Sequence, residues 1–228
     1  MLEMIRTMEE MKTRRARNQL KTYKPYAKQQ EFHNDMARER LLMAGNQLGK
    51  TYCGSADTAI HLTGRYPDWW QGRRFDRPIR MWGGSKTSEV TRDGIQRYLV
   101  GEPKNKAKWG EGMIPYDALV RTKPRQGVAD ALDSITVKHV SGGISTLGFK
   151  SYDQGREKWQ GETLDGVWFD EEPPIDIYME GLTRTNATLG FTAITFTPLL
   201  GMSEVVSMFM DEEAAKNKDA IEAGSDGV

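Results

Sequence analysis

Ala44-Gly45-Asn46-Gln47-Leu48-Gly49-Lys50-Thr51 carries the strongest signal in the chain for a fold class. Its last three residues close a phosphate-binding loop of the pattern G-x-x-x-x-G-K-[ST]. Alanine stands at 44 in place of the first glycine, and Gly45 follows at once. Such a loop turns successive backbone N–H groups toward phosphate and leads into a helix N-terminus, where the dipole favours anions. In this pattern Lys50 reaches the β- and γ-phosphates and the Thr51 hydroxyl ligates Mg²⁺. All eight residues, Ala44 through Thr51, are therefore candidate nucleotide contacts. The flanks suit the motif: Arg40-Leu41-Leu42-Met43 reads as a short buried strand, and residues 50 to 62 as a helix.

Working outward, strands alternate with helices. Helices are expected at about 3–20 and 28–38, broken between them by Tyr23-Lys24-Pro25-Tyr26. Residues 64 to 78 form a turn-rich loop with exposed-looking aromatics, Trp69 and Trp70 among them. Pro78 to Gly84 is a short strand, and Thr87 to about Val100 an amphipathic helix with a Thr/Ser start. Residues 101 to 132 carry little pattern. Ser134 to Val140 and Ile144 to Phe149 alternate on either side of Ser141-Gly142-Gly143, the signature of an antiparallel hairpin. Asp165 to Asp170 and Phe191 to Thr197 read as strands, with a helix at 175–187 between them and a last helix from Glu204 to about Asn217. The alternation points to an α/β fold with a mostly parallel sheet covered by helices on both faces.

Val167-Trp168-Phe169-Asp170-Glu171-Glu172 is an apolar strand ending in acids, the form of a Walker B element. Asp170 is placed to hold Mg²⁺ opposite the loop, and Glu171 to polarise the attacking water as general base. Glu172 competes for the base, because a one-residue slip in a turn re-aims a side chain. Thr195 and Thr197 end the following strand, where hydroxyls can sense the γ-phosphate; β-propensity alone also explains threonine there. Upstream, the Gln29 amide offers the donor and acceptor that match an adenine edge, and Tyr26 can stack on the base. A polar face on an N-terminal helix is the plainer explanation of both.

Composition narrows the classes. Charged residues at 28% and hydrophobic residues at 38% fit a globular domain, and no apolar run reaches the roughly 20 residues of a membrane span. The N-terminus lacks the apolar stretch of a signal peptide. The single cysteine, Cys53, excludes an internal disulfide and reads as a buried small hydrophobe. The three histidines lack metal-ligand spacing. Net charge is zero but uneven: residues 12 to 28 hold seven basic residues and no acid. That run is either a solvated helix face or a phosphate-contacting patch, as are Arg73-Arg74 and Lys104 to Lys108.

Taken together, Pro25 through His33, Ala44 through Thr51, His61 through Trp70 and Trp168 through Pro174 resemble the large terminase subunit of tailed bacteriophages. The resemblance runs from about residue 24 to 210. It implies a P-loop NTPase of the additional-strand, catalytic-glutamate class, with ATP and Mg²⁺ as cofactors. The activity implied is an ATP-driven motor that moves double-stranded DNA into a procapsid. The partners implied are DNA, a portal protein, a small terminase subunit and further copies in a ring, pentameric by the resemblance, in the cytoplasm of the infected host. By motif match Gln29 senses adenine, Lys50 and Thr51 hold phosphate and metal, Asp170 is the Walker B acid, Glu171 the base, and Thr195 and Thr197 the coupling motif. Residues 1–23 are then a basic N-terminal helix or arm and 24–228 the ATPase domain. The family's C-terminal nuclease domain has no counterpart in this stretch, and no DNA cleavage is expected of it.

Two positions depart from the family pattern. Asn46 stands where many terminases carry an in-loop arginine, and Gln160-Gly161 where many carry an Arg–Gly pair whose arginine reaches the neighbouring subunit's ATP. Arg156 is the nearest substitute and Arg184 the second. Two other readings stay open: a helicase-like or other P-loop DNA translocase, and a nucleotide-binding assembly scaffold without turnover.

Overall fold

The computed structural model describes residues 2–198 and 204–210. Seven strands form one sheet, in the order β1 (Glu39–Met43), β7 (Phe191–Phe196), β6 (Gly166–Asp170), β2 (Arg80–Ser85), β5 (Ile144–Ser151), β4 (Leu132–Lys138), β3 (Leu119–Pro124). The first five run parallel, and β4 and β3 add an antiparallel extension. One strand, β7, lies between β1, which leads into the Gly49-Lys50-Thr51 loop, and β6, which ends in Asp170, pairing Leu42 with Thr195 on one side and Asp170 with Thr195 on the other. That intervening strand is the one the additional-strand class requires.

Helix α4 (Lys50–Thr63) follows the loop, starts at Gly49 and stops at Gly64, both left-handed. It is buried along nearly its whole length and packs against β4, β5, β6 and β7. Cys53 is fully enclosed there, as a buried hydrophobe should be. Helix α7 (Ile175–Asn186) covers β6 and β7, where Phe169 and Trp159 stack at 5.3 Å. Each of these large side chains, fully enclosed, contributes on the order of 1.5–3 kcal/mol relative to exposure.

Several local expectations need correction. The strand β1 is an edge among the described residues, so its burial alternates instead of being continuous: Arg40 and Leu42 point inward and Met43 is exposed. The aromatics of residues 64–78 are not exposed. Trp70 is buried, and its ring lies 5.2 Å from His61 and 5.4 Å from His33. The helix at 87–100 is interrupted: α5 (Ser88–Thr91) passes through a π turn (Arg92–Gln96) into α6 (Arg97–Val100). The weakly patterned 101–132 contains β3, a strand whose mostly exposed residues leave no alternation to read. Of the final helix only 204–210 is described, and the rest of that expectation lies outside the described residues. Helix α1 (Leu2–Ala16) is exposed along residues 3–15.

Between β1 and α4 lies a buried polar cluster that sequence reading missed. Arg40 of β1 makes a two-pronged ion pair with Asp57 of α4, at 2.8 and 3.2 Å. His33 of α3 (Ala27–Asn34) bonds the same carboxylate at 2.9 Å, and the Tyr23 hydroxyl reaches the other His33 nitrogen at 2.9 Å. Both charges of the pair are buried, and the hydrogen bonds on every side keep that burial tolerable.

Candidate active site

The loop between β1 and α4 begins with the Ala44 N–H bonded to the Phe196 carbonyl at 3.3 Å, which continues the parallel pairing past the end of β1. Ala44 is not among the left-handed residues, so nothing in its backbone calls for the missing glycine. Gly49 does need to be glycine: its φ is 74°, and an added Cβ would sit 3.3 Å from the Gln29 amide nitrogen. Gly45 to Leu48 are exposed. The Lys50 ammonium folds back onto the loop and donates to the Gly45 carbonyl at 2.7 Å.

Two hydroxyls converge on Asp170 at the C-terminal end of β6. Thr51 donates to its two oxygens at 3.0 and 3.1 Å, and Thr195 to Oδ1 at 2.8 Å. Burial pushes the Asp170 carboxyl up to about 7, against the lowering effect of those hydrogen bonds and of Lys50. Gly94 of the π turn faces the pair: a Cβ there would lie 3.6 Å from Asp170 Oδ2 and 3.9 Å from the Thr51 methyl. A π turn beside a functional carboxylate is a common association. The Asp170 carboxylate and Thr51 hydroxyl bring hard oxygens to one point, which could hold a hard divalent cation such as Mg²⁺ with phosphate and water completing its shell.

Glu171 follows in a left-handed conformation, φ 70°. Its N–H donates to the Thr195 carbonyl at 2.8 Å and its carbonyl accepts from the Tyr152 hydroxyl at 2.7 Å, so both backbone groups are held. Tyr152 was invisible to motif reading, because its role is to bond backbone from a different strand end. The Glu171 charge acts on Asp170, whereas Glu172 faces a cleft of about 660 Å³ shared with Lys86, Tyr152 and Pro174. Burial raises the Glu172 carboxyl and Lys86 opposes it.

The upstream glutamine is also close. Gln29 donates to the Gly49 carbonyl at 3.3 Å and accepts from the Tyr26 N–H at 3.0 Å, which joins the Tyr26–Gln29 turn to the loop. Tyr26 itself is 75% exposed. At the loop's outer side the Thr197 hydroxyl donates to Asn46 Oδ1 at 3.0 Å. The two candidate arginines are grouped elsewhere: Arg156 and Arg184 both pair with Glu180 of α7, at 2.7 and 3.5 Å, and Gln160 joins them at 3.3 Å. The hydrogen bond from Arg156 holds the Glu180 carboxyl below its usual range. Sequence had brought Lys50, Thr51, Asp170, Glu171, Thr195, Thr197 and Gln29 to one site, and the structure gathers these around the loop; Arg156 stands apart.

Among the described residues no helix is long and apolar enough to cross a membrane. A family model for the large terminase subunit, T4-like-virus type, N-terminal, matches residues 41–225. The terminase large subunit of Salmonella phage P22 is 42% identical over 95% of this chain and 47% of its own length. That of Enterobacteria phage LP7 is 41% identical over 25% of this chain and 12% of its own. The chain thus spans less than half the length of these relatives. The ATPase domain of the Thermus phage P74-26 large terminase superposes with a TM-score of 0.56 at 20% identity, over 81% of this chain and 69% of that one. Sheet order, loop and comparisons agree: the fold is that of a terminase ATPase domain, a P-loop NTPase, and the chain belongs to the large terminase subunit family.

Proposed function

We propose that this chain hydrolyses ATP as the motor domain of a DNA-packaging terminase. The observation that carries the reading is the meeting of Thr51 and Thr195 hydroxyls on the Asp170 carboxylate, directly beside the Lys50 loop. Lys50 and the N–H groups of Gly45 to Thr51 bind the phosphates, Ala44 anchors the loop to β7 through its own N–H, Tyr26 and Gln29 take the adenine, and Thr51 with Asp170 hold Mg²⁺. Bound there, Mg²⁺ would neutralise phosphate charge. Glu171 accepts the proton of the attacking water. Its fixed backbone and its proximity to Asp170 favour it over Glu172, which turns to the neighbouring cleft. Thr195 and Thr197 pass the loss of phosphate on to the rest of the motor.

Catalysis also needs a positive charge on the γ-phosphate. Arg156 supplies it to a neighbouring subunit in this proposal: its side chain is 58% exposed and pairs with Glu180 of α7. Arg184, less exposed in the same cluster, is the second choice. The motor works as a ring of copies, pentameric by family resemblance, that engages double-stranded DNA, the portal protein and the small terminase subunit in the host cytoplasm. The test is phosphate release by arrayed wild-type subunits against Lys50→Ala and Glu171→Gln. A Lys50→Ala ring that hydrolyses ATP normally would end the proposal.

A further inference from the structure

Trp168 lies mid-way along β6, on the same face as Asp170 two residues on. Its indole is buried against α4, where an added Cβ on Gly54 would come within 2.4 Å of the ring. Its N–H donates to the Thr195 hydroxyl at 2.8 Å, and that hydroxyl donates to Asp170 Oδ1 at 2.8 Å. An indole can only donate, whereas a threonine hydroxyl is a rotor that both donates and accepts. The direction of the chain is therefore determined. The Trp168 N–H occupies a lone pair of Thr195, and the single Thr195 proton is committed to the carboxylate. All three side chains are buried, so water does not compete for these bonds.

We propose that Trp168 is a positioning residue for the Asp170 carboxylate, acting through the Thr195 hydroxyl. The two threonines of the strand then divide the work. Thr195 takes part in coupling by orienting the metal-holding acid, and Thr197 by its bond to Asn46 of the loop. The Gly54 gap has the same purpose, since only glycine lets the indole pass between α4 and the sheet to reach Thr195.

The inference rests on the nucleotide site proposed above. Its test is a Mg²⁺ titration of binding by a fluorescent ADP analogue, with ATP turnover measured in parallel. The main variant replaces the Trp168 indole by a benzothiophene, which keeps the bicycle and removes only the N–H; Trp168→Phe is the genetic counterpart. Loss of this bond is expected to raise the Mg²⁺ concentration for half-saturation about five- to tenfold. Affinity for the analogue without Mg²⁺ should hold, while the thermal midpoint of the benzothiophene protein should fall only by the modest amount that one buried hydrogen bond contributes. In a Thr195→Val background the same change should add nothing, and Thr195→Ser should retain the wild-type response. Equal shifts in both backgrounds, or no shift in either, would overturn the proposal, because the indole would then act by packing alone. A wild-type chain whose analogue binding ignores Mg²⁺ would overturn the site reading as well, so the two failures are told apart.

Discussion

The Thr197 hydroxyl donates to the Asn46 side-chain oxygen at 3.0 Å, tying the end of β7 to the crown of the phosphate loop. Asn46 is the position where the family resemblance implies an in-loop arginine. Here its amide gives the loop a neutral link to the strand beside the Walker B acid. The bond is exposed, so it contributes little to stability, about 0.5–1.5 kcal/mol at most. Thr197→Val should therefore leave the thermal midpoint nearly unchanged while lowering DNA-stimulated turnover in the assembled ring. Thr197→Ser should restore it. A Thr197→Val ring with full DNA stimulation would remove the hydroxyl from the output path.

Glu171→Gln and Glu172→Gln separate the two candidates for the base. Loss of a general base lowers the rate about 10²–10⁴-fold. Glu171→Gln should show that loss in single-turnover hydrolysis and still bind nucleotide, whereas Glu172→Gln should turn over within a few-fold of wild type. The reverse ranking would transfer the role to Glu172.

The buried Asp57 cluster predicts acid sensitivity. Burial pushes the Asp57 carboxyl up, but Arg40, His33 and His61 outweigh it and hold the group below the usual carboxylate range. Burial also drives His61 down, from 6.5 to about 3. Between those two values the unfolded chain binds a proton at His61 that the native chain refuses, so stability falls as pH falls from 6.5 toward 3. The Asp57 contribution is present above its unfolded value and is lost below it. Thermal midpoints against pH should show this slope. Asp57→Ala, which strands Arg40, should cost about 3–5 kcal/mol at neutral pH.

Asp170 gives the opposite sign. Its folded value is raised from 3.8 to about 7, so in metal-free protein the native state holds a proton that the unfolded state has lost. Stability then decreases as pH rises from about 4 to 7 and is lowest above it. Asp170→Asn should flatten that segment of the curve and stabilise the nucleotide-free protein at pH 8. An unaltered slope in the variant would contradict the assignment.

Gly54→Ala tests the packing of the P-loop helix. In an open helix the change would stabilise by up to about 1 kcal/mol. Here the new methyl would meet the Trp168 ring at 2.4 Å, so the expected sign is reversed, with a loss of about 1–3 kcal/mol in denaturant unfolding. The same change should disturb Mg²⁺-dependent nucleotide binding, since it moves the indole.

The elements nearest the motifs were the most legible. The loop, the two acids and the β7 threonines are local patterns whose chemistry demands a strand end, and the hairpin at 132–151 shows itself by alternation about a glycine turn. Illegible were the features whose partners are distant in sequence. Arg40 reads as an ordinary charge at a strand start until Asp57 and His33 close around it. Trp69 and Trp70 read as surface aromatics until the two histidines offer their rings. The π turn has no composition of its own, and exposed β3 has no period.

A phosphate loop, a strand-end acid pair and a hydroxyl-bearing strand in one α/β chain follow from the residues alone. These depend on residue type and short spacing alone. Folding inserts β7 between β1 and β6 and sets Thr195 against Asp170. It also placed the Tyr152 hydroxyl on the Glu171 carbonyl and brought Arg156 and Arg184 together on Glu180. Those relations come from strand order and buried hydrogen bonding, where a donor finds its acceptor only after apolar burial has fixed both backbones.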